Sequence, residues 1–275
     1  MRSVIAWPLL LLAACASGDT RPASAPSTGA TELVGRLGDP AIAESSGIVA
    51  SRRHPGVFWT HNDSGNAPAL YAVDRAGRLV GAFAVDARNI DWEDIAIDDA
   101  GRLYIGDLGN NQRKRATVLV HRLAEPDPRR PSDRPLPVAD TWELSFPDKP
   151  FDCEALFIHG KFGYVISKHN DATPAVVYRF PLEKAGRPVV LERVAVLPIR
   201  APVTAADISA DGRRLAVLTY GGLSVFDIGG DVAAAATVAP RFVPYVNLKI
   251  EACCFDGDDV LVTAESREVL RFASP

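Results

Sequence analysis

The sequence predicts an all-β domain folded as a five-bladed β-propeller. Three observations predict it: short alternating strands joined by Asp/Gly turns, a unit of about four strands that recurs five times, and a first strand that has no unit of its own. Such alternation is typical of β-hairpins. Four-stranded units repeated around a ring are typical of propellers. A six-bladed ring, with one more blade in an irregular stretch, is the alternative.

The clearest unit begins with an acidic opening, Asp91 and Glu93. An apolar strand follows, then the turn Asp98–Gly101 and a second strand that ends at Asp107. Similar units open at Glu44, Glu93, Glu154, Asp207 and Glu251, which are 49, 61, 53 and 44 residues apart. The later strands are predicted at 70–73 and 79–85, at 117–123 and 141–146, at 164–167, 176–180 and 194–199, at 215–219, 223–226 and 242–246, and at 260–263 and 269–272. These spacings fit blades with loops of variable length.

The fifth unit ends one strand short, and the strand Thr31–Leu37 can supply the missing one. Pairing the first strand with the last blade would close the ring and remove two exposed sheet edges. Trp59 and Trp92 fall on predicted strands, where we expect them to pack between blades.

The first thirty residues have a different composition. Residues 1–15 combine Arg2, a short apolar run and the ending Leu12-Ala13-Ala14-Cys15. The run is too short to span a bilayer, so it reads as a secretory signal. The ending resembles a bacterial lipobox, which implies cleavage and a lipid on Cys15, although an ordinary signal peptide with a chance cysteine is the alternative. Residues 16–30 are Ala, Ser, Pro, Thr and Gly without periodic apolar residues, which predicts a flexible tether to the domain 31–275.

These features predict an exported lipoprotein anchored in a membrane, and Ala16 after the cysteine resembles lipoproteins of the outer membrane that face the periplasm. Arg2 is the only charged residue among the first fourteen, so their removal lowers the formal charge from −4 to −5. This mild acidity argues against a nucleic-acid partner. An oxidising compartment permits a disulfide among Cys153, Cys253 and Cys254, and three buried, inert thiols are the alternative.

The acidic residues that open the units predict a metal site. In a propeller the first strand of each blade lines the central tunnel, so Glu44, Glu93, Glu154, Asp207 and Glu251 should form a ring at one tunnel mouth. Converging carboxylates repel one another and call for a cation or protons. Oxygen ligands in flexible geometry favour Ca²⁺ over Mg²⁺, and zinc fits poorly without His or Cys in the ring. The alternative is that the acids hydrogen-bond backbone N–H groups of neighbouring blades.

A second set of polar residues should surround this ring. Fourteen residues after three of the openings come Asp107, Lys168 and Glu265, and the matching places in the other units are taken by Asp63 and Tyr220. The basic and polar neighbours on the same face would suit a small anionic ligand such as phosphate, or an envelope protein. The candidate ligand-binding residues are Asp63, Asp107, Asn110, Arg113, Lys168, His169, Tyr220 and Glu265.

The chain has no Gly-Lys-Ser/Thr phosphate loop and no G-x-S-x-G elbow, so P-loop and α/β-hydrolase chemistry are excluded. Its blade segments ESSGIVASRRHPGVFWTHNDSG, DWEDIAIDDAGRLYIGD, ADISADGRRLAVLTYGG and EACCFDGDDVLVTAES resemble those of secreted bacterial propellers in the phytase-like superfamily. The resemblance covers residues 44–275 and implies a calcium-dependent phosphoesterase.

Few basic residues accompany the acidic openings, and the five-blade count resembles calcium-dependent apyrases rather than six-bladed phytases. Three functions therefore stay open: a protein that binds a ligand or partner at a Ca²⁺-occupied mouth, a metal-dependent hydrolase of phosphoesters or lactones, and a scaffold in an envelope assembly. A broad apolar patch would favour the scaffold.

Overall fold

The computed structural model describes Met1 and residues 31–275. The predicted signal, the tether and the lipidation of Cys15 lie outside the described residues. The strands from Thr31 onward form five sheets of four or five strands, which confirms the five-bladed β-propeller. In the described part of the chain, no helix is long and apolar enough to cross a membrane.

In each blade the strands follow chain order from the tunnel outward, except that β1 is the outermost strand of blade 5. The first strand, β1, is Thr31–Arg36. Blade 1 contains β2 (Ser45–Ala50), β3 (Val57–Asn62), β4 (Ala69–Asp74) and β5 (Leu79–Ala84), and blade 2 contains β6 (Trp92–Ile97), β7 (Arg102–Asp107), β8 (Thr117–Ala124) and β9 (Asp140–Ser145). Blade 3 contains β10 (Asp152–His159), β11 (Phe162–Lys168), β12 (Val176–Pro181) and β14 (Glu192–Val196), with β13 (Pro188–Val190) in the connection before β14. Blade 4 contains β15 (Val203–Ile208), β16 (Arg214–Thr219), β17 (Gly222–Asp227) and β18 (Arg241–Pro244), and blade 5 contains β19 (Ile250–Asp256), β20 (Asp259–Ala264) and β21 (Glu268–Phe272).

The ring closes through β1, which pairs antiparallel with β21 and completes blade 5. This is the closure predicted from the sequence. One connection adds an unpredicted feature: β13 crosses to blade 2 and pairs in parallel with β9, so that blade 2 has five strands. Two short 3₁₀ helices also lie between strands: Leu182–Lys184 in this same connection, and Val232–Ala236 between β17 and β18.

Packing between the blades forms five hydrophobic clusters, one for each pair of neighbours around the ring. Trp59 and Trp92 are both fully buried in the cluster between blades 1 and 2, as expected. The cluster between blades 5 and 1 joins Cys254 to Ile48, so the core itself is continuous around the ring. Burying apolar sheet faces on both sides is the main stabilising term of such a fold.

The three cysteines of the described domain, Cys153, Cys253 and Cys254, are buried free thiols. Burial raises the pKa of each thiol well above its usual range, so they remain protonated and unreactive. The structure therefore agrees with the alternative of buried thiols, and no disulfide joins these three residues.

Candidate functional site

A bulge near the start of the first strand of each blade identifies the equivalent positions around the tunnel. In every blade one residue is inserted into the register between the first two strands. These inserted residues are Ser46, Glu93, Glu154, Thr204 and Glu251. Glu93, Glu154 and Glu251, three of the five predicted ring members, therefore occupy equivalent positions.

The other two predicted ring members occupy different positions. Glu44 precedes the bulge of blade 1 by two residues, and Asp207 follows that of blade 4 by three. Asp207 Oδ2 accepts a hydrogen bond from the backbone N–H of Phe255, 2.8 Å away. Asp207 thus links blades 4 and 5, as the hydrogen-bonding alternative expected, and it does not line the cavity described below.

A cavity of about 440 Å³ opens at the tunnel mouth. It brings together most of the predicted site residues and is strongly acidic. The lining consists of Ala43, Glu44, Ser45, Ser46, Asp63, Glu93, Asn111, Glu154, Lys168, Tyr220, Glu251 and Glu265. Four of the five predicted metal ligands and four of the eight predicted ligand-binding residues therefore share one cavity.

The remaining predicted residues lie outside this lining. Asp107 is fully buried and pairs with Arg115 at 2.7 Å. Asn110 is buried, where its backbone N–H donates to Asp152 Oδ1 at 2.8 Å. Arg113 is exposed and His169 is partly exposed; burial lowers the pKa of His169, and the nearby carboxylate of Asp171 opposes that shift.

A difference in hairpin length explains why Asp107 does not occupy the position of Lys168 and Glu265 in the cavity lining. The turn of blade 2 joins Ile97 to its partner Leu103, whereas the turn of blade 3 joins Ile158 to its partner Gly163. The extra residue in blade 2 means that Leu108, rather than Asp107, matches Lys168 and Glu265. A fixed spacing of fourteen residues therefore points to the wrong residue in that blade.

The acidic residues from blades 1 and 2 form a compact group. Asp63, Asp91 and Glu93 each place a carboxylate oxygen so that these atoms all lie within 4.8 Å of one another. No ion pair within 4 Å joins these carboxylates to a lysine or arginine of residues 31–275. Asp91 was not among the predicted ligands, although it stands two residues before Glu93, a spacing that puts extended side chains on the same face.

Glu93 is the most enclosed member of this group. It is only 5% exposed, and its carboxylate accepts one hydrogen bond from residues 31–275, a long one of 3.3 Å from Ser46 Oγ to Oε2. Burial, together with the negative charge of Glu154 and Asp63, raises the pKa of Glu93 well above its usual range. Gly109 permits the arrangement, because a Cβ there would lie 2.2 Å from Asp91 Oδ2 and 2.3 Å from Glu93 Oε1.

The residues from blades 3, 4 and 5 form a hydrogen-bonded chain around one lysine. The Lys168 ammonium is paired with Glu154 Oε2 and lies 3.3 Å from Tyr220 Oη, which in turn donates to Glu251 Oε1 at 3.2 Å. Burial raises the pKa of Glu154 to about 8 against the opposing effect of Lys168, and burial likewise raises the pKa of Glu251 to about 7. The Glu154 carboxylate raises the pKa of Lys168 above its ordinary value despite its burial. Lys168 is therefore a fixed cation and a poor nucleophile at neutral pH.

Comparison with known proteins supports the fold only. No protein-family model and no curated protein matches the chain. The PQQ-bound aldose sugar dehydrogenase from Streptomyces coelicolor is similar over 90% of this chain and 98% of that chain, with 12% identity and a TM-score of 0.51. Virginiamycin B lyase from Staphylococcus aureus is similar over 88% of this chain and 98% of that chain, with 9% identity and a TM-score of 0.46.

A catalytically inactive variant of that lyase, crystallised with quinupristin, is similar over 82% of this chain, with 11% identity and a TM-score of 0.45. The chain spans 65% of the length of that chain, which is less than two thirds. At 12% identity the likeness to the sugar dehydrogenase concerns the fold alone, and a propeller carries many unrelated functions.

Proposed function

We propose that this chain is an exported, lipid-anchored propeller that binds Ca²⁺ at its acidic tunnel mouth and, through the ion, a small anionic ligand or an envelope protein. The observation that carries the proposal is the compact group Asp63, Asp91 and Glu93, with no basic side chain of residues 31–275 paired to it. Export and anchoring at Cys15 rest on the sequence of residues 1–15 alone.

The donor set fits Ca²⁺ chemically. All three groups are carboxylates, and Ca²⁺ accepts six to eight oxygen ligands in flexible geometry. Asp63, Asp91 and Glu93 would supply the protein ligands, so positions remain for water or for oxygen atoms of an anionic ligand. The four remaining predicted ligands are already engaged. Glu44 accepts from Asn66 Nδ2 at 3.1 Å, and Asp207 accepts from the backbone N–H of Phe255. Glu154 and Glu251 belong to the Lys168 chain.

A metal-dependent hydrolase of phosphoesters or lactones is the second candidate. It is favoured by the presence of Lys168 in the lining of the same cavity as Asp63 and Glu93, two members of the carboxylate group. A bound metal ion would polarise a phosphoryl or carbonyl oxygen and activate water. Lys168, Tyr220 and the ion would then surround the substrate anion.

The scaffold function has less support. Among residues 31–275 the exposed large apolar side chains fall on separate elements: Leu33, Leu79, Ile90, Val190, Phe242 and Val246. Single exposed apolar residues are ordinary in soluble domains.

Thermal unfolding with and without Ca²⁺ tests the proposal. A ligand that binds only the folded state stabilises it by about 2.7 kcal/mol at a hundred times its dissociation constant. For a domain of this size that corresponds to a rise in Tm of about 5 °C or more. We expect this rise in the metal-free protein on adding Ca²⁺, and no rise in the double variant Asp91→Asn, Glu93→Gln.

The double variant Asp99→Asn, Asp133→Asn is the matched control, because it removes two carboxylates at exposed positions outside the cavity. It should respond to Ca²⁺ like the unaltered protein. Equal responses of all three proteins, or none from the unaltered one, would refute the Ca²⁺ site. Assaying the same samples for Ca²⁺-dependent hydrolysis of phosphoesters and lactones distinguishes binding from catalysis.

A further inference from the structure

The cavity has two acidic halves, and only one of them contains a cation of its own. Asp63, Asp91 and Glu93 come from blades 1 and 2. Glu154 and Glu251 come from blades 3 and 5 and face the Lys168 ammonium directly or through Tyr220. Carboxylates of both halves line the same space.

Lys168 is placed unusually for a lysine. Its side chain is 8% exposed, whereas most lysines extend their ammonium group into water. Transferring an ammonium group out of water is costly unless opposite charges surround it. Here Glu154 pairs with it, and Tyr220 lies both within hydrogen-bond distance and with its ring 5.2 Å from Nζ.

The half of the cavity formed by blades 1 and 2 also contains a buried carboxylate, that of Glu93, but no lysine or arginine of residues 31–275 is paired with it. Glu93 is 5% exposed, and within residues 31–275 Ser46 is the only hydrogen-bond donor to its carboxylate, through Oε2. Glu93 also belongs to the compact group of carboxylates with Asp63 and Asp91. A buried carboxylate that accepts a single long hydrogen bond needs further compensation of its charge, which a cation in the cavity would supply.

We infer that Lys168 permanently occupies one of two cation positions in the cavity, so that the protein takes one divalent cation, held by Asp63, Asp91 and Glu93. This inference rests on the proposed function. It assigns Glu154 and Glu251 to the resident ammonium instead of to the metal. A variant without the lysine charge has two carboxylates with no cation between them, and these form a second divalent position.

Counting bound Ca²⁺ tests the inference. Equilibrium dialysis of the purified, metal-free protein against ⁴⁵Ca²⁺ should give one ion per chain for the unaltered protein and two for Lys168→Met. Lys168→Arg keeps the charge and should stay at one. Lys249→Met is the matched control, because it removes a lysine paired with Glu265 at 2.7 Å rather than with Glu154, and it too should stay at one.

A second pair of variants covers the case in which Lys168→Met does not fold. Glu154→Gln and Glu251→Gln each keep the side-chain shape, and each should still bind one Ca²⁺ because neither carboxylate is a ligand of the ion. Two ions on the unaltered protein, one ion on a folded Lys168→Met, or loss of the ion in Glu154→Gln would overturn the inference. No ion on the unaltered protein would instead refute the proposed function itself.

Discussion

Replacement of Asp94 by alanine is expected to lower the free energy of unfolding by about 3 kcal/mol, because it leaves backbone N–H groups of three blades without an acceptor. The Asp94 carboxylate is fully buried and accepts from Ile95 and Leu156, each at 2.9 Å, and from Ala206 at 3.4 Å. These donors belong to the innermost strands of blades 2, 3 and 4. Urea unfolding followed by far-UV circular dichroism measures the loss.

Asp94→Asn is the matched control, since its amide oxygen can still accept one or two of these bonds. We expect it to lose about 1 kcal/mol. Burial raises the pKa of Asp94 well above its usual range, although the backbone N–H groups oppose the shift. If Asp94→Ala proved as stable as the unaltered protein, the cost of burying this acid would equal its contribution to joining the blades, and its role as a central link would be wrong.

The metal-free protein is expected to lose about 2 kcal/mol of stability between pH 6.5 and pH 8. The pKa of Glu154 is raised to about 8 and that of Glu251 to about 7, chiefly by burial. The unfolded chain loses these protons near pH 4.5, so in this window the folded state binds more protons than the unfolded state. Linkage then requires stability to fall as pH rises.

Two comparisons make the pH experiment decisive. Burial lowers the pKa of His61, His121 and His169, so these groups change stability in the opposite direction, and only below about pH 6.5. Saturating Ca²⁺ should flatten the slope, because a divalent charge in the same cavity favours the ionised form of Glu154 and Glu251 and lowers their pKa values. Urea unfolding at pH 6.5, 7.25 and 8, with and without Ca²⁺, gives the slopes; stability that increases with pH in metal-free buffer would contradict the account.

Most of the fold could be predicted from the sequence because its signals are local. Alternating strands and Asp/Gly turns identify the hairpins, and a strand without a unit, Thr31–Leu37, identifies the closure. The crossing of Pro188–Val190 to blade 2 could not be predicted in this way. It depends on where a long connection lies in space, and its three residues have no periodic pattern.

The candidate site could be predicted where the spacing of acidic residues along the chain matches equivalent positions in the blades. Glu93, Glu154 and Glu251 occupy equivalent bulges, so a repeated acidic opening finds them. Glu44 and Asp207 show the limit, because an acid near the opening need not be the residue at the bulge.

The pairing within the cavity could not be predicted from spacing. Lys168 contacts Glu154 across its own hairpin and Tyr220 in the next blade, and residue spacing does not specify such contacts between blades. Asp91, by contrast, could have been predicted as a member of the site, because it stands two residues before Glu93.

Anomalous diffraction from crystals of the protein soaked in Ca²⁺, and in Tb³⁺ as a stronger scatterer, tests the central claim most directly. The account predicts one anomalous peak, within coordination distance of Asp63, Asp91 and Glu93. A peak on the tunnel axis between Glu154 and Glu251, or no peak in crystals whose solution contains millimolar Ca²⁺, would contradict it.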